Sequence, residues 1–211
     1  LCRSSAASDV YKRQDLINGG NDDWHNNLYK NLGKSAYNNK GIDFKLGTFG
    51  AGHGATTSNL KGGLGSASIV LSNGVTVGAL VAVNPSGSVV TEGTNSFWAS
   101  PYEANKEFGG KSFEFPNKIF SEYFRGDDTR KDSFSIKNTT IAIVATDLDL
   151  SKVELRRVSV AAHDGISRAI VPSHTPYDGD LVFSVSTARI KTKIEQTDIY
   201  NIGHACLLYT S

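Results

Sequence analysis

Asn138-Thr139-Thr140 stands directly ahead of the apolar run Ile141-Ala142-Ile143-Val144-Ala145, so a hydroxyl side chain meets the mouth of what reads as a buried strand. Further on, His174-Thr175-Pro176-Tyr177-Asp178-Gly179-Asp180 gathers an imidazole and two carboxylates in one turn-forming loop. The chemistry on offer is self-cleavage followed by hydrolysis. If the peptide bond before Thr139 is cut, the freed α-amine, with a pKa of about 8, stands about 3 Å from the same residue's hydroxyl oxygen, and one residue supplies both nucleophile and base. Thr139 also has a plainer reading as a β-favouring residue, and Asn138-Thr139-Thr140 is a glycosylation sequon, which matters only in a secreted eukaryotic protein.

Other candidate groups point nowhere in particular. His25, His53, His163 and His174 show neither the helical i, i+4 pair nor the Cys/His spacing of a zinc site, so no metal is implied. His163 is expected on the buried side of its helix as a hydrogen-bonded core residue, while His53, flanked by glycines, is a candidate to line a pocket. Gly50, Gly52 and Gly54 are not followed by Gly-Lys-Ser/Thr and a helix, so a nucleotide cradle is not supported; close backbone packing is the better account.

The elements that must position these residues follow from periodicity. Trp24, Leu28 and Leu32 recur every four residues and predict an amphipathic helix from about Asn21 to Ala36. Ala67 to Leu71 reads as a strand, Asn73-Gly74 as a hairpin turn, and Val75 to Val83 as a return strand that is apolar on both faces and ends at Asn84-Pro85. Ser86 to Lys137 is a long excursion with isolated aromatics, and its Gly126 to Asp132 portion is expected to be exposed and mobile. After the strand Thr140 to Ala145, Ser151 and Glu154 form a capping box ahead of a helix whose stripe is Val153, Val158, Ala162, Ile166, Ala169 and Ile170. Pro172 ends that helix, and Leu181 to Thr187 begins another strand.

At 211 residues, 39% hydrophobic and 20% charged, the chain has the length and composition of one globular domain with a sizeable core. Its 22 basic residues nearly balance 21 acidic ones, and no local run of Lys and Arg forms a patch, which argues against a nucleic-acid partner. The longest apolar runs, such as Val75 to Val83, are too short to span a membrane. The ends fit no hydrophobic period. Asp9 to Gln14 can be encoded by GATGTGTATAAGAGACAG, and Cys206 to Ser211 by its reverse complement with a one-base shift, so residues 1–14 and 206–211 are read as translated sequencing adapter. Both cysteines, Cys2 and Cys206, fall in these ends and say nothing of redox compartment, and with Met absent the original amino terminus is expected to be missing. Localisation is therefore unknown.

Several blocks, in order, resemble the L-aminopeptidase/D-esterase family, the DmpA-like enzymes and β-aminopeptidases. They are Asp15-Leu16-Ile17-Asn18 with Asn21-Asp22-Asp23-Trp24, Lys61 to Ser68, Thr76 to Asn84, the Asn138-Thr139 junction and Ala162-His163-Asp164-Gly165, spread over Asp15 to Thr187. The resemblance implies an α/β (α+β) four-layer α-β-β-α sandwich of the kind shared with ornithine acetyltransferase, here incomplete at the N-terminus. It divides the chain into a partial peptidase domain over 15–205, with 15–138 the end of the α-chain and 139–205 the start of the β-chain after self-cleavage. It implies that Thr139 is the exposed nucleophile, Asn138 the residue left upstream, and Asn84 a donor of the oxyanion hole, a role suited to an amide fixed at a strand end. Asp178-Gly179-Asp180 falls where some relatives carry Ser-Gly-Glu. Asp180 keeps the charge with one methylene less reach, while Asp178 puts a carboxylate where a hydroxyl stood, so the pair is expected to share a proton or bind a substrate ammonium. A family tyrosine upstream of Asp15 is read as lost, and Tyr11 does not replace it.

The implied activity is aminopeptidase, amidase and esterase action on short peptides, amides or esters, with no cofactor, in a homo-oligomer of the bacterial cytoplasm or periplasm. Two alternatives stand beside it. One is acyl transfer like that of ornithine acetyltransferase, whose junction is Lys-Gly-Thr where this chain has Lys137-Asn138-Thr139; the other is an unprocessed, non-catalytic relative acting as a binding domain.

Overall fold

The computed structural model describes residues 28–58, 60–103, 105–110, 112–115, 138–192 and 195–209. Helix α1 covers Leu28–Asn38, running two residues beyond the expected end, and Asn39 closes it by donating its side-chain amide to the Ser35 carbonyl at 2.9 Å. The expected start, Trp24 included, lies outside the described residues.

Four strands form one sheet in chain order: β1 (Gly63–Val70), β2 (Thr76–Val83), β3 (Ile141–Leu148) and β4 (Leu181–Ile190). β1 and β2 make the predicted hairpin, with Gly74 at φ 82°, the left-handed conformation that glycine adopts without a Cβ clash. β2 and β3 are antiparallel, and β3 and β4 are parallel with Ile141 opposite Leu181. A parallel pair needs a crossover, which helix α2 (Lys152–Ala169) supplies; helix α3 (Gln196–Tyr209) packs beside it.

Alternation along the strands decides where the core sits. Val77, Ala79 and Val81 of β2, Ala142 and Val144 of β3 and Val182 of β4 face Val158, Ala162 and Ile166 of α2 and Ile202 and Ala205 of α3, all buried. The capping box predicted at Ser151 and Glu154 is present in full. Val153, expected in the buried stripe, is instead 74% exposed, because at 3.6 residues per turn it lies about 140° around α2 from Val158 and about 180° from Ala162, on the side away from the buried face. On the opposite sheet face, Ala51, Ala82 and Ile141 form a smaller cluster with Leu64, while Leu181, Phe183 and Val185 remain partly open. The fold is thus α/β as expected, and among the described residues it consists of one sheet with α2 and α3 on one side.

The glycine-dense passage packs backbone on backbone. A Cβ on Gly52 would strike the Gly47 carbonyl, and one on Gly62 would strike that of Val83. The excursion after β2 is ordered where it is described: Ser88 pairs with Val171, Val90 with Phe97, and Phe97 stacks on Phe108 at 4.9 Å between ring centroids. Gly126 to Asp132 lies outside the described residues.

Candidate active site

Strand ends create the site. Where β2 stops, Pro85 removes a donor and turns the chain, leaving Asn84 buried at the rim. Beside it, Thr139 and Thr140 lead into β3 with exposures of 3% and 0%. The N–H of Thr139 donates to the Asn84 carbonyl at 2.7 Å, so backbone pairing alone places the two predicted residues side by side. The Asn84 side-chain oxygen accepts the Thr56 N–H at 3.0 Å, which fixes the amide plane and turns its NH2 end away from Thr56.

The loop before β4 extends the parallel pairing beyond both strands. Asn138 bridges Asp178, Gly179 N–H donates to the Asn138 carbonyl at 3.0 Å, and Leu181 N–H donates to that of Thr140 at 3.0 Å. The Thr139 hydroxyl also donates to the Asn138 carbonyl, at 2.5 Å. That one carbonyl oxygen, on the residue preceding the candidate nucleophile, therefore receives a main-chain donor and the hydroxyl that would attack its carbon.

The two carboxylates act as braces. Asp178 accepts the Ser86 N–H through one oxygen at 2.9 Å, and the Thr175 N–H and hydroxyl through the other at 3.0 and 2.6 Å. It thereby ties the loop after β2 to the loop before β4. Asp180, whose side chain is 3% exposed, accepts the Thr140 N–H at 2.8 Å through one oxygen. Through the other it accepts Nδ1 of His174 at 2.7 Å and the His174 N–H at 3.3 Å. Two of these bonds, from the Ser86 and Thr140 N–H groups, tie the carboxylates to the segments that carry Asn84 and Thr139, and the other four go to Thr175 and His174 of their own loop.

All five residues singled out from the sequence, Asn84, Asn138, Thr139, Asp178 and Asp180, converge here. His174, Thr175 and Gly179 stood in the loop singled out from the sequence but were given no role there, and Thr56 was not singled out. Thr175-x-x-Asp178 has the spacing by which a side chain closes a turn on its own backbone, and that was a readable signal. The contribution of Gly179 is a main-chain N–H, which no residue type announces. His163, expected in the core, is only half-buried; its Nδ1 lies 2.8 Å from the Ser159 carbonyl and its ring 5.2 Å from that of His174. His53 is exposed beside the turn Gly50–Gly52. Among the described residues no group of three His, Cys, Asp or Glu side chains could hold a metal ion, and no helix is long and apolar enough to cross a membrane.

The model of peptidase family S58 matches residues 15–208. An uncharacterized aminopeptidase of Mycobacterium bovis is 38% identical over an alignment 187 residues long that covers 83% of this chain and 49% of that protein. The chain thus spans about half the length of the curated relatives it matches. Among solved structures, a protein from Pyrococcus horikoshii OT3 superposes with a TM-score of 0.57 at 24% identity, covering 84% of this chain and 45% of the other. A Burkholderia sp. β-aminopeptidase superposes with a TM-score of 0.54 at 18% identity, covering 99% of this chain and 62% of the other. At these identities the structural likeness speaks for the fold alone.

Proposed function

Because the chain belongs to peptidase family S58, we propose that it carries the nucleophilic centre of an aminopeptidase with amidase and esterase action, which cuts its own backbone after Asn138 and then uses Thr139 to release amino-terminal residues from short peptides, amides or esters. The observation that carries this reading is the arrangement around the Asn138 carbonyl, where the Thr139 hydroxyl lies 2.5 Å from the oxygen and Gly179 N–H donates to it at 3.0 Å.

Self-cleavage begins when the Thr139 hydroxyl oxygen adds to the Asn138 carbonyl carbon. The charge gathering on the carbonyl oxygen meets the Gly179 N–H, a preorganised donor that needs no rearrangement. The C–N bond then breaks, the hydroxyl proton passes to the Thr139 nitrogen, and an ester links Asn138 to the Thr139 side chain. Water hydrolyses the ester, leaving a carboxylate on Asn138 and a free amine and hydroxyl on Thr139. In turnover, that amine takes the hydroxyl proton as the oxygen attacks a substrate carbonyl. Asn84, pinned through its oxygen, offers its NH2 to the developing oxyanion. The leaving amine or alcohol takes the proton, and water releases the acyl group from Thr139.

Intact mass of the full chain under denaturing conditions tests the reading. Two fragments separating between Asn138 and Thr139 are expected from the wild type, with Thr139→Ala giving one uncut chain and no hydrolysis. Turnover retained in Thr139→Ala would overturn it.

A further inference from the structure

His174 opens the loop singled out from the sequence but was given no role there, and it bonds to Asp180, whose other oxygen accepts the N–H of the residue after Thr139. Its φ is 54°, a left-handed conformation that residues with a Cβ avoid unless their surroundings impose it. Here the surroundings do so on three sides. The His174 N–H and Nδ1 both reach one oxygen of Asp180, at 3.3 and 2.7 Å, and Nε2 lies 3.3 Å from the His163 carbonyl of α2. The His163 ring, itself held at the Ser159 carbonyl, packs against the His174 ring at 5.2 Å.

Asp180 has little water to solvate it, its side chain being 3% exposed, so its position is set by the N–H groups it accepts. His174 supplies two of them and Thr140 the third. Thr140 in turn receives Leu181 N–H at its carbonyl, which leaves the first residues of β3 clamped between Asp180 and the start of β4. We infer that His174 is a positioning residue for Thr139: it anchors Asp180 against α2, and Asp180 holds the Thr140 N–H that fixes where Thr139 presents its hydroxyl. The inference rests on Thr139 being the nucleophile. Attack geometry is steep in distance, so a displacement of Thr139 well below the length of a bond slows both self-cleavage and turnover.

The test uses the full chain with His174→Phe, which keeps a ring and removes both ring nitrogens, and His174→Asn, which tolerates a left-handed φ and returns an N–H near the place of Nδ1. His174→Phe should slow self-cleavage and lower kcat by about tenfold to a hundredfold, the worth of one hydrogen bond to a charged group, with KM little changed. His174→Asn should recover most of the loss. In the wild type the His174 Nδ1 proton should give a distinct NMR resonance that Asp180→Asn moves. A full-rate His174→Phe in a chain whose wild type cleaves would overturn the inference alone. So would rate losses in both variants that merely track lowered melting temperature, the mark of a structural role. An uncleaved wild type would overturn the nucleophile reading and this inference together.

Discussion

The middles and the ends of β2 and β3 are held by opposite means. Along the middle, Val77, Ala79, Val81, Ala142 and Val144 bury apolar surface under α2 and α3, where attraction is non-directional and grows with the area removed from water. At the ends, the same strands stop at Asn84 and start at Thr139, and what holds them there is a set of hydrogen bonds from Thr56, Ser86, Thr140, Thr175, Gly179 and His174 to amide and carboxylate oxygens. An apolar interior gives way by small shifts when a methyl group is lost. A polar clasp depends on the direction of each hydrogen bond, so an isosteric change that reverses a buried donor is felt in full.

The contrast can be tested by substitutions of similar size in the two regions. The largest effect is expected at the strand end. Asn84→Asp keeps the shape and the acceptor for Thr56 N–H but replaces the NH2 donor with an oxygen, and hydrolysis of an amino-acid p-nitroanilide should fall by about 10²–10³, the usual cost of one lost oxyanion donor. Melting temperature should fall as well, because Asn84 is 2% exposed and the change puts a carboxyl group there. In the core, Ile166 is 1% exposed against the sheet, and Ile166→Val should cost about 0.5–1.5 kcal/mol in denaturant unfolding while the cleaved chain keeps its kcat. A loss of turnover in Ile166→Val comparable to that in Asn84→Asp would show that core and site are not separable.

The smallest effect belongs to the exposed cap of α2. There the Ser151 hydroxyl, and after it the Ser151 N–H, hold the Glu154 carboxyl below its ordinary value of 4.5. A folded value lower than the unfolded one means that this contribution is present above the ordinary carboxylate range and is lost as pH falls through the folded value. Ser151→Ala should cost about 0.5–1 kcal/mol near neutral pH, and the difference from wild type should shrink in acid unfolding titrations.

Legibility in the sequence divides along the same line. The β1–β2 hairpin was readable because Asn73-Gly74 meets a backbone demand that few other pairs satisfy. The extent of α2 was readable because Ser151-x-x-Glu154 marks its start and Pro172 its limit. Val153 was misplaced because its spacing of five and nine residues from Val158 and Ala162 puts it on the other side of a helix with 3.6 residues per turn. Asn84, Asn138, Thr139, Asp178 and Asp180 could be named through their resemblance to a known family, but the roles of the two aspartates could not. Whether they share a proton or brace the backbone depends on which N–H groups lie within 3 Å, and their observed partners are as distant along the chain as Ser86 and Thr140.

By itself, then, the sequence determined periodicity, turn chemistry and the residue types available for reaction, because these depend on neighbours within a few positions. The parallel pairing of Ile141 with Leu181 carried Asn138 to Gly179 and Thr140 to Asp180, and the antiparallel pairing of β2 with β3 brought Asn84 to Thr139. Only the tertiary structure decided those meetings. They are set by strand register over separations of 40 residues and more, and a register is fixed by the packing of whole faces rather than by any one residue.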